Sequence, residues 1–204
     1  MKICLRFLSV GCLLISFSSC MRLVYGIKSP HAIQQEEIRA KAIKWHIDTA
    51  HLYELNQQFI YQLYDWQERG QKTLAKHRHQ PLQLIYFNPN GKMVSQHMNC
   101  YAQGFPNLRW KRDGRMNTFP PISATAPDSA FDLSMQLQLI RPLHTVPIPM
   151  KASNYTIAIY WNSFMGRQSR RLVRVATKNL KKAGNKPYQL LFINTDNYYA
   201  GKLH

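Results

Sequence analysis

Ile157-Ala158-Ile159-Tyr160-Trp161-Asn162-Ser163-Phe164-Met165-Gly166-Arg167-Gln168 decides how this chain is read. The stretch is an apolar strand running into a helix start, with Trp-x-x-x-Met-Gly-Arg-Gln at the junction. The spacing places a strand over 155–161, a helix over 167–183 and a second strand over 188–194. Gly184-Asn185 closes the helix, because glycine at that position adopts the left-handed turn that ends helices. Both strands are unbroken apolar runs, the pattern of strands buried on two faces. Strand–helix–strand is the βαβ unit, which implies parallel pairing and a right-handed crossover.

The helix after the junction carries a second pattern. Arg167, Arg170, Arg171, Arg174, Lys178, Lys181 and Lys182 recur at helical spacing. They fall within an arc of about 120° at 100° per residue. Leu172, Val173, Ala176, Leu180 and Ala183 occupy the opposite side, and the segment contains no acid. Such a helix sets an apolar face on a sheet and a cationic face outward, where it is a candidate site for anions.

Moving outward, Asn56 to about His77 reads as a helix with Phe59, Leu63, Trp66 and Leu74 on one side and Gly70 as its weak point. Pro81 opens an apolar strand, 82–87. Asn88-Pro89-Asn90-Gly91 is a tight turn, since Asn-Gly supplies the positive φ that hairpins need. Lys92 to His97 returns as the partner strand. Cys100 to Pro127 reads as a long loop. Phe131 to Ile140 reads as a helix, and Pro147 and Pro149 mark a connector. Nearer the start, Ser29-Pro30 resembles a helix opening, with the helix ending near His46 and a short strand at Leu52-Tyr53-Glu54-Leu55.

Composition bounds the partners. The 204 residues suffice for one compact domain plus an extension, and the net charge of +17 points to anionic surroundings. Lys2 and Arg6 precede a Phe7–Phe17 apolar run that is too short to span a bilayer. Ser18-Ser19-Cys20 follows, which resembles the lipobox of bacterial lipoproteins, in which the cysteine is lipidated and becomes the mature N-terminus. Processing there removes Cys4 and Cys12 and leaves a mature charge of +15 with Cys100 as the single remaining free thiol. An exported chain with one such thiol has no internal disulfide framework. Zinc-type Cys/His pairs, nucleotide-binding glycine motifs and phosphate-binding loops are all absent from the sequence. No metal or cofactor is implied.

Two segments resemble the thioredoxin-like superfamily. Members of it carry Trp-x-x-x-Cys-Gly-Pro-Cys at a strand–helix junction. Here Trp161 and Gly166 match, and Met165 and Gln168 stand where the two thiols would be. Pro81-Leu82-Gln83-Leu84-Ile85-Tyr86-Phe87 followed by Asn90-Gly91-Lys92 is similar to the strand that begins with a cis-proline in the same family. The proline segment here precedes the junction, the reverse of the family order, and a circular permutation accounts for that. The resemblance implies an α/β fold. Its thioredoxin-like mixed sheet has about four strands flanked by helices, in the order 188–194, 155–161, 82–87, 92–97 with only the last strand antiparallel. With the lipobox, the expected organisation is a lipoprotein-type signal peptide over 1–19 and a tether and N-terminal helical extension over 20–55, and the thioredoxin-like resemblance places its domain over 56–204. The wider pattern, including Asn99-Cys100-Tyr101 and Gly104-Phe105-Pro106-Asn107, is also similar to uncharacterised bacterial lipoproteins.

Dithiol exchange needs a thiolate at a helix N-terminus and a second thiol to resolve the mixed disulfide. A thioether and an amide supply neither, so the aligned site excludes that chemistry. Trp161, Phe164 and Met165 are then either core packing or the wall of a partner groove beside Pro81. Cys100 is the only candidate nucleophile, with His97 three residues before it and His144 further on. It would make the chain a thiol enzyme of peroxidase type if a base lay within reach. Arg109-Trp110-Lys111-Arg112 interleaves charge with an indole, but nucleic acid is not expected for an exported protein. The sequence therefore points to a lipid-anchored envelope protein, facing the periplasm. Its redox-inactive domain would bind anionic lipid, glycan or an acidic protein, in addition to the membrane that holds its N-terminal lipid.

Overall fold

The computed structural model describes residues 26–104, 108–143 and 154–201. The Phe7–Phe17 run, Cys20, the Phe105–Asn107 triplet, His144, Pro147 and Pro149 lie outside the described residues.

The elements in chain order are α1 (Gln35–Lys44), a short 3₁₀ turn (Thr49–His51), β1 (Leu52–Leu55), α2 (Gln57–Glu68), α3 (Lys72–Arg78), β2 (Gln83–Phe87), β3 (Met93–Met98), α4 (Asn99–Ala102), a 3₁₀ segment (Arg112–Asn117), α5 (Leu133–Gln138), β4 (Ile140–Pro142), β5 (Tyr155–Trp161), α6 (Gly166–Leu180), β6 (Tyr188–Asn194) and α7 (Asp196–Tyr199). The strands form one mixed sheet in the order β3-β2-β5-β6-β1-β4. The chain is thus a mixed α/β protein with helices flanking a six-stranded sheet.

The central β5-α6-β6 unit pairs in parallel over seven positions, from Tyr155 opposite Tyr188 to Trp161 opposite Asn194. Its strands are buried on both faces because the sheet is covered on both. Leu84, Tyr86, Ile157, Ile159 and Trp161 pack against α6 and α1 through Leu172, Val173, Ala176, Ile38 and Ala42. The alternate residues Ile85, Phe87, Ala158, Tyr160 and Leu191 pack on the other side against Phe59, Leu63 and Trp66 of α2 and Leu74 of α3. The alternation of side chains along each strand sorts one apolar run into two cores.

Several sequence expectations change. The sheet has six strands in place of about four. The four expected strands stand in the expected order, but β2 runs antiparallel to both β5 and β3, so the reversed strand among the four is β2 and the last strand, β3, runs with β5 and β6. An apolar run buried on two faces carries no mark of its direction. Leu52–Leu55, expected in the extension ahead of the domain, is an interior strand between β6 and β4. The expected helix over 56–77 breaks at Gly70, whose φ is +76°. Gly70 N–H donates to Gln67 O at 3.1 Å and Gln71 N–H to Trp66 O at 2.7 Å, the paired bonds of a Schellman cap. α1 begins at Gln35, five residues beyond the Ser29-Pro30 opening, and α5 stops at Gln138 to make room for β4.

Candidate functional site

The β5–α6 junction is held by Asn162. Its Oδ1 accepts from the Met165 N–H at 2.9 Å, covering a donor that the first helical turn leaves open. Its Nδ2 donates to Pro81 O at 3.1 Å and to Thr195 Oγ1 at 3.3 Å. Its main-chain N–H donates to Ser169 Oγ, which in turn donates to Asn162 O at 2.7 Å. One buried amide therefore ties the proline segment, the junction and the end of β6 together. Pro81 and Met165 meet through it, although 83 residues separate them. The Gln80–Pro81 bond is trans, since the cis bond among the described residues is Phe119–Pro120.

Beside this latch sits Asp196, fully buried. Its carboxylate accepts from the Ser163 N–H at 2.8 and 2.9 Å, from Ser163 Oγ at 2.8 Å and from Asn194 Nδ2 at 2.9 Å. Among the described residues no basic side chain pairs with it.

Trp161, Phe164, Met165 and Gln168 are all buried, Trp161 and Gln168 completely. The Trp45 ring stands 5.3 Å from that of Trp161, edge to face. A Cβ on Gly166 would lie 3.5 Å from the Trp45 ring. Lys28 N–H donates to Phe164 O at 2.7 Å, and the Phe164 ring lies 5.4 Å from Tyr199. The N-terminal segment and α7 thus cover the junction from both sides. Among the described residues Trp161, Phe164 and Met165 are packing residues of the core on this face of the sheet.

Cys100 is exposed on the four-residue α4, and partial burial pushes its thiol up, away from the thiolate form. His97 does not serve it as a base. Its imidazole is buried, lies 3.3 Å from Ser95 Oγ, and is held down to about 4 by desolvation and then by Arg115. Among the described residues no histidine hydrogen-bonds Cys100, and no group of three or more His, Cys, Asp and Glu side chains could hold a metal. No helix of the described residues is long and apolar enough to cross a membrane.

The cationic face is real. Arg167, Arg170, Arg171, Arg174 and Lys178 are exposed along α6, and Lys181 and Lys182 continue the face just past its end. Among the described residues no carboxylate pairs with Arg170, Arg174, Lys178, Lys181 or Lys182. The sequence offers none nearby: from Leu133 to His204 the one acid is the buried Asp196.

What sequence reasoning treated as two separate basic features, the structure joins. Asn179 of α6 donates through Nδ2 to Met116 O at 3.0 Å and to Thr118 O at 2.8 Å, and accepts from Tyr86 OH at 2.9 Å. These bonds moor the 3₁₀ segment to the helix and carry the preceding loop alongside it. The result is a groove of about 540 Å³ lined by Arg109, Lys111 and Arg112 on one wall, Arg171, Arg174 and Lys178 on the other, and Leu108, Trp110 and Val175 between. Among the described residues no carboxylate lines it; Asp113 lies at the loop's end, bridging Arg112 at 3.4 Å and Arg115 at 3.5 Å. A second groove of about 460 Å³ runs along the other flank of α6. Lys44, Trp45 and His46 from the end of α1 face Arg170, Arg174, Lys178 and Lys181 there. The Arg170 guanidinium lies 6.0 Å from the centre of the Trp45 ring. Lys44 and His46 were not singled out in the sequence, where they read only as a helix end.

Comparison with protein-family models, with curated proteins and with solved structures finds no match.

Proposed function

We propose that this chain is a lipid-anchored protein of the bacterial envelope, attached through Cys20. Its permuted, redox-inactive thioredoxin-like domain binds an anionic partner along α6. The observation that carries this reading is the first groove, where six cationic side chains converge and, among the described residues, no carboxylate joins them. Cations brought together at that density repel one another, and an anion that bridges them relieves the repulsion. Arginine also offers a planar fork that meets carboxylate, sulfate or phosphate oxygens in pairs.

Support for the thioredoxin-like part is the adjacency of the proline strand to the junction strand, with Asn162 linking Pro81 to Met165. Support for redox inactivity is the residue chemistry at the junction and its burial beneath Trp45 and Tyr199. The raised thiol of Cys100 and the neutral, inward His97 weigh against the thiol-enzyme alternative.

The test is titration of a labelled heparin oligosaccharide, used as a charge probe, into the chain from Met21 onward. Arg170→Glu/Arg174→Glu/Lys178→Glu and Arg109→Ala/Lys111→Ala/Arg112→Ala each weaken binding by about tenfold or more, at about 1 kcal/mol per basic group. Unchanged affinity in the loop variant would remove the groove from the site.

A further inference from the structure

We infer that the anionic partner of α6 is the headgroup layer of the membrane that carries the lipid anchor, so that the helix lies flat on the bilayer with one headgroup cradle on each flank. This rests on the lipid-anchor reading and adds to it an orientation and a ligand.

The path of the chain supplies the first argument. Five residues separate Cys20 from Gly26. Fully extended, that tether reaches only about 20 Å. Gly26 stands at the start of the cationic helix: a Cβ there would lie 3.6 Å from Arg167 Cβ. The tether thus leaves the fold beside the first cation of α6 and is no longer than the 15-residue helix itself, about 22 Å at the α-helical rise. A domain hung so closely cannot carry this face far from the bilayer surface.

The surface supplies the second. The two grooves share Arg174 and Lys178 and lie on opposite flanks of one helix, so a planar array of anions can engage both at once. Ile43, 66% exposed, adjoins Lys44 of the second groove. An apolar side chain next to basic ones suits the boundary between headgroups and acyl chains. The acids of α1, Glu36 and Glu37, sit at its opposite end, about 10 Å along the helix from Lys44.

The placement of the indoles separates a lipid surface from a polymer with rings to stack. Trp110 is buried, and Trp45 packs edge to face on Trp161. Trp110 is thus closed to bases and sugars, and the half-buried Trp45 ring is already engaged by Trp161 on one side and by the Arg170 guanidinium. Recognition is by charge, which is what a headgroup layer offers.

The experiment uses the full chain, purified with its lipid and reconstituted into vesicles. One set is phosphatidylcholine alone and one is equal parts phosphatidylcholine and phosphatidylglycerol, both containing a headgroup quencher. In a Cys100→Ser background, a fluorophore is placed through Asn185→Cys, beyond the far end of α6 from the tether, or through Lys72→Cys on α3. The Asn185 site loses most of its emission in the anionic vesicles, regains it at high salt, and is unquenched in neutral ones. The Lys72 site stays bright in all. An unquenched Asn185 site in anionic vesicles, or equal quenching at both sites, overturns the inference. So does an Asn185 site that stays bright while the same face still holds a heparin oligosaccharide, which would assign the grooves to an acidic glycan. The mass of the N-terminal peptide separates the two readings. An unmodified Cys20 defeats the anchor itself, whereas a lipidated Cys20 with an unquenched Asn185 site defeats the orientation alone.

Discussion

Replacing Asp196 with alanine removes the acceptor on which the β5–α6 junction closes. The carboxylate takes three bonds from Ser163 and one from Asn194, all within 2.8–2.9 Å. Alanine leaves the Ser163 main-chain N–H and the Asn194 amide facing an apolar methyl. Each buried polar group stranded in this way costs about 1–3 kcal/mol. Ser163 Oγ can rotate towards other partners, so its share is smaller. The sum is about 3–5 kcal/mol, a large part of the ~5–15 kcal/mol that holds a domain folded. With an m-value of about 2 kcal/mol/M, the urea midpoint followed by tryptophan emission falls by about 1.5–2.5 M with its slope unchanged. Asp196→Asn keeps one carbonyl and loses less. A midpoint shift below about 0.5 M for the alanine variant would refute the reasoning, because it would mean that the four bonds contribute no more than a typical surface contact.

Two further outcomes follow from buried groups. His97 is held down to about 4 from an ordinary 6.5. The unfolded chain therefore binds a proton first, and the stability His97 contributes is full above pH 6.5 and lost as the pH falls towards 4, by about 3 kcal/mol. His97→Gln removes that share, which urea titrations of both proteins across this pH range measure as a difference; parallel curves would contradict it. In a Cys100→Ser background of the chain from Met21 onward, Met165→Cys/Gln168→Cys places two thiols at the junction with two residues between them. Because both positions are buried, the new thiols react with an aromatic disulfide reagent only after urea is added, and the variant does not reduce insulin. Rapid labelling of the native variant would show that the cover over the junction opens.

The parts legible in the sequence are those that local chemistry determines. The 155–161 run, the helix after it and the 188–194 strand are each continuous patterns, and the cationic arc of α6 is visible from spacing alone. Gly70 marked a weak point, and its positive φ turns that weakness into a break. The strand direction of β2 was not legible, because a run buried on two faces has no polar side to orient it. β4 was missed for a different reason. Ile140-Arg141-Pro142 has one apolar residue and a proline, and it forms a strand only because β1 offers an edge and Glu54 pairs with Arg141. The groove was illegible in principle: Arg109–Arg112 and α6 meet only through Asn179 and the 3₁₀ segment it moors. Asp196 gave no signal either, since one acid in a polar stretch after a strand looks like any loop residue until its burial is seen.

Whether binding belongs to the α6 face or to net charge alone is decided by co-sedimentation with anionic vesicles. The chain from Met21 onward carries every described element and no lipid. Arg170→Glu/Arg174→Glu/Lys178→Glu is compared with Lys72→Glu/Lys76→Glu/Lys92→Glu, an equal change of charge at exposed positions on α3 and the β2–β3 turn. At about 1 kcal/mol per basic group, the α6 variant loses about 100-fold in partition, while the matched variant loses less than about threefold. Equal losses in the two variants would contradict the account.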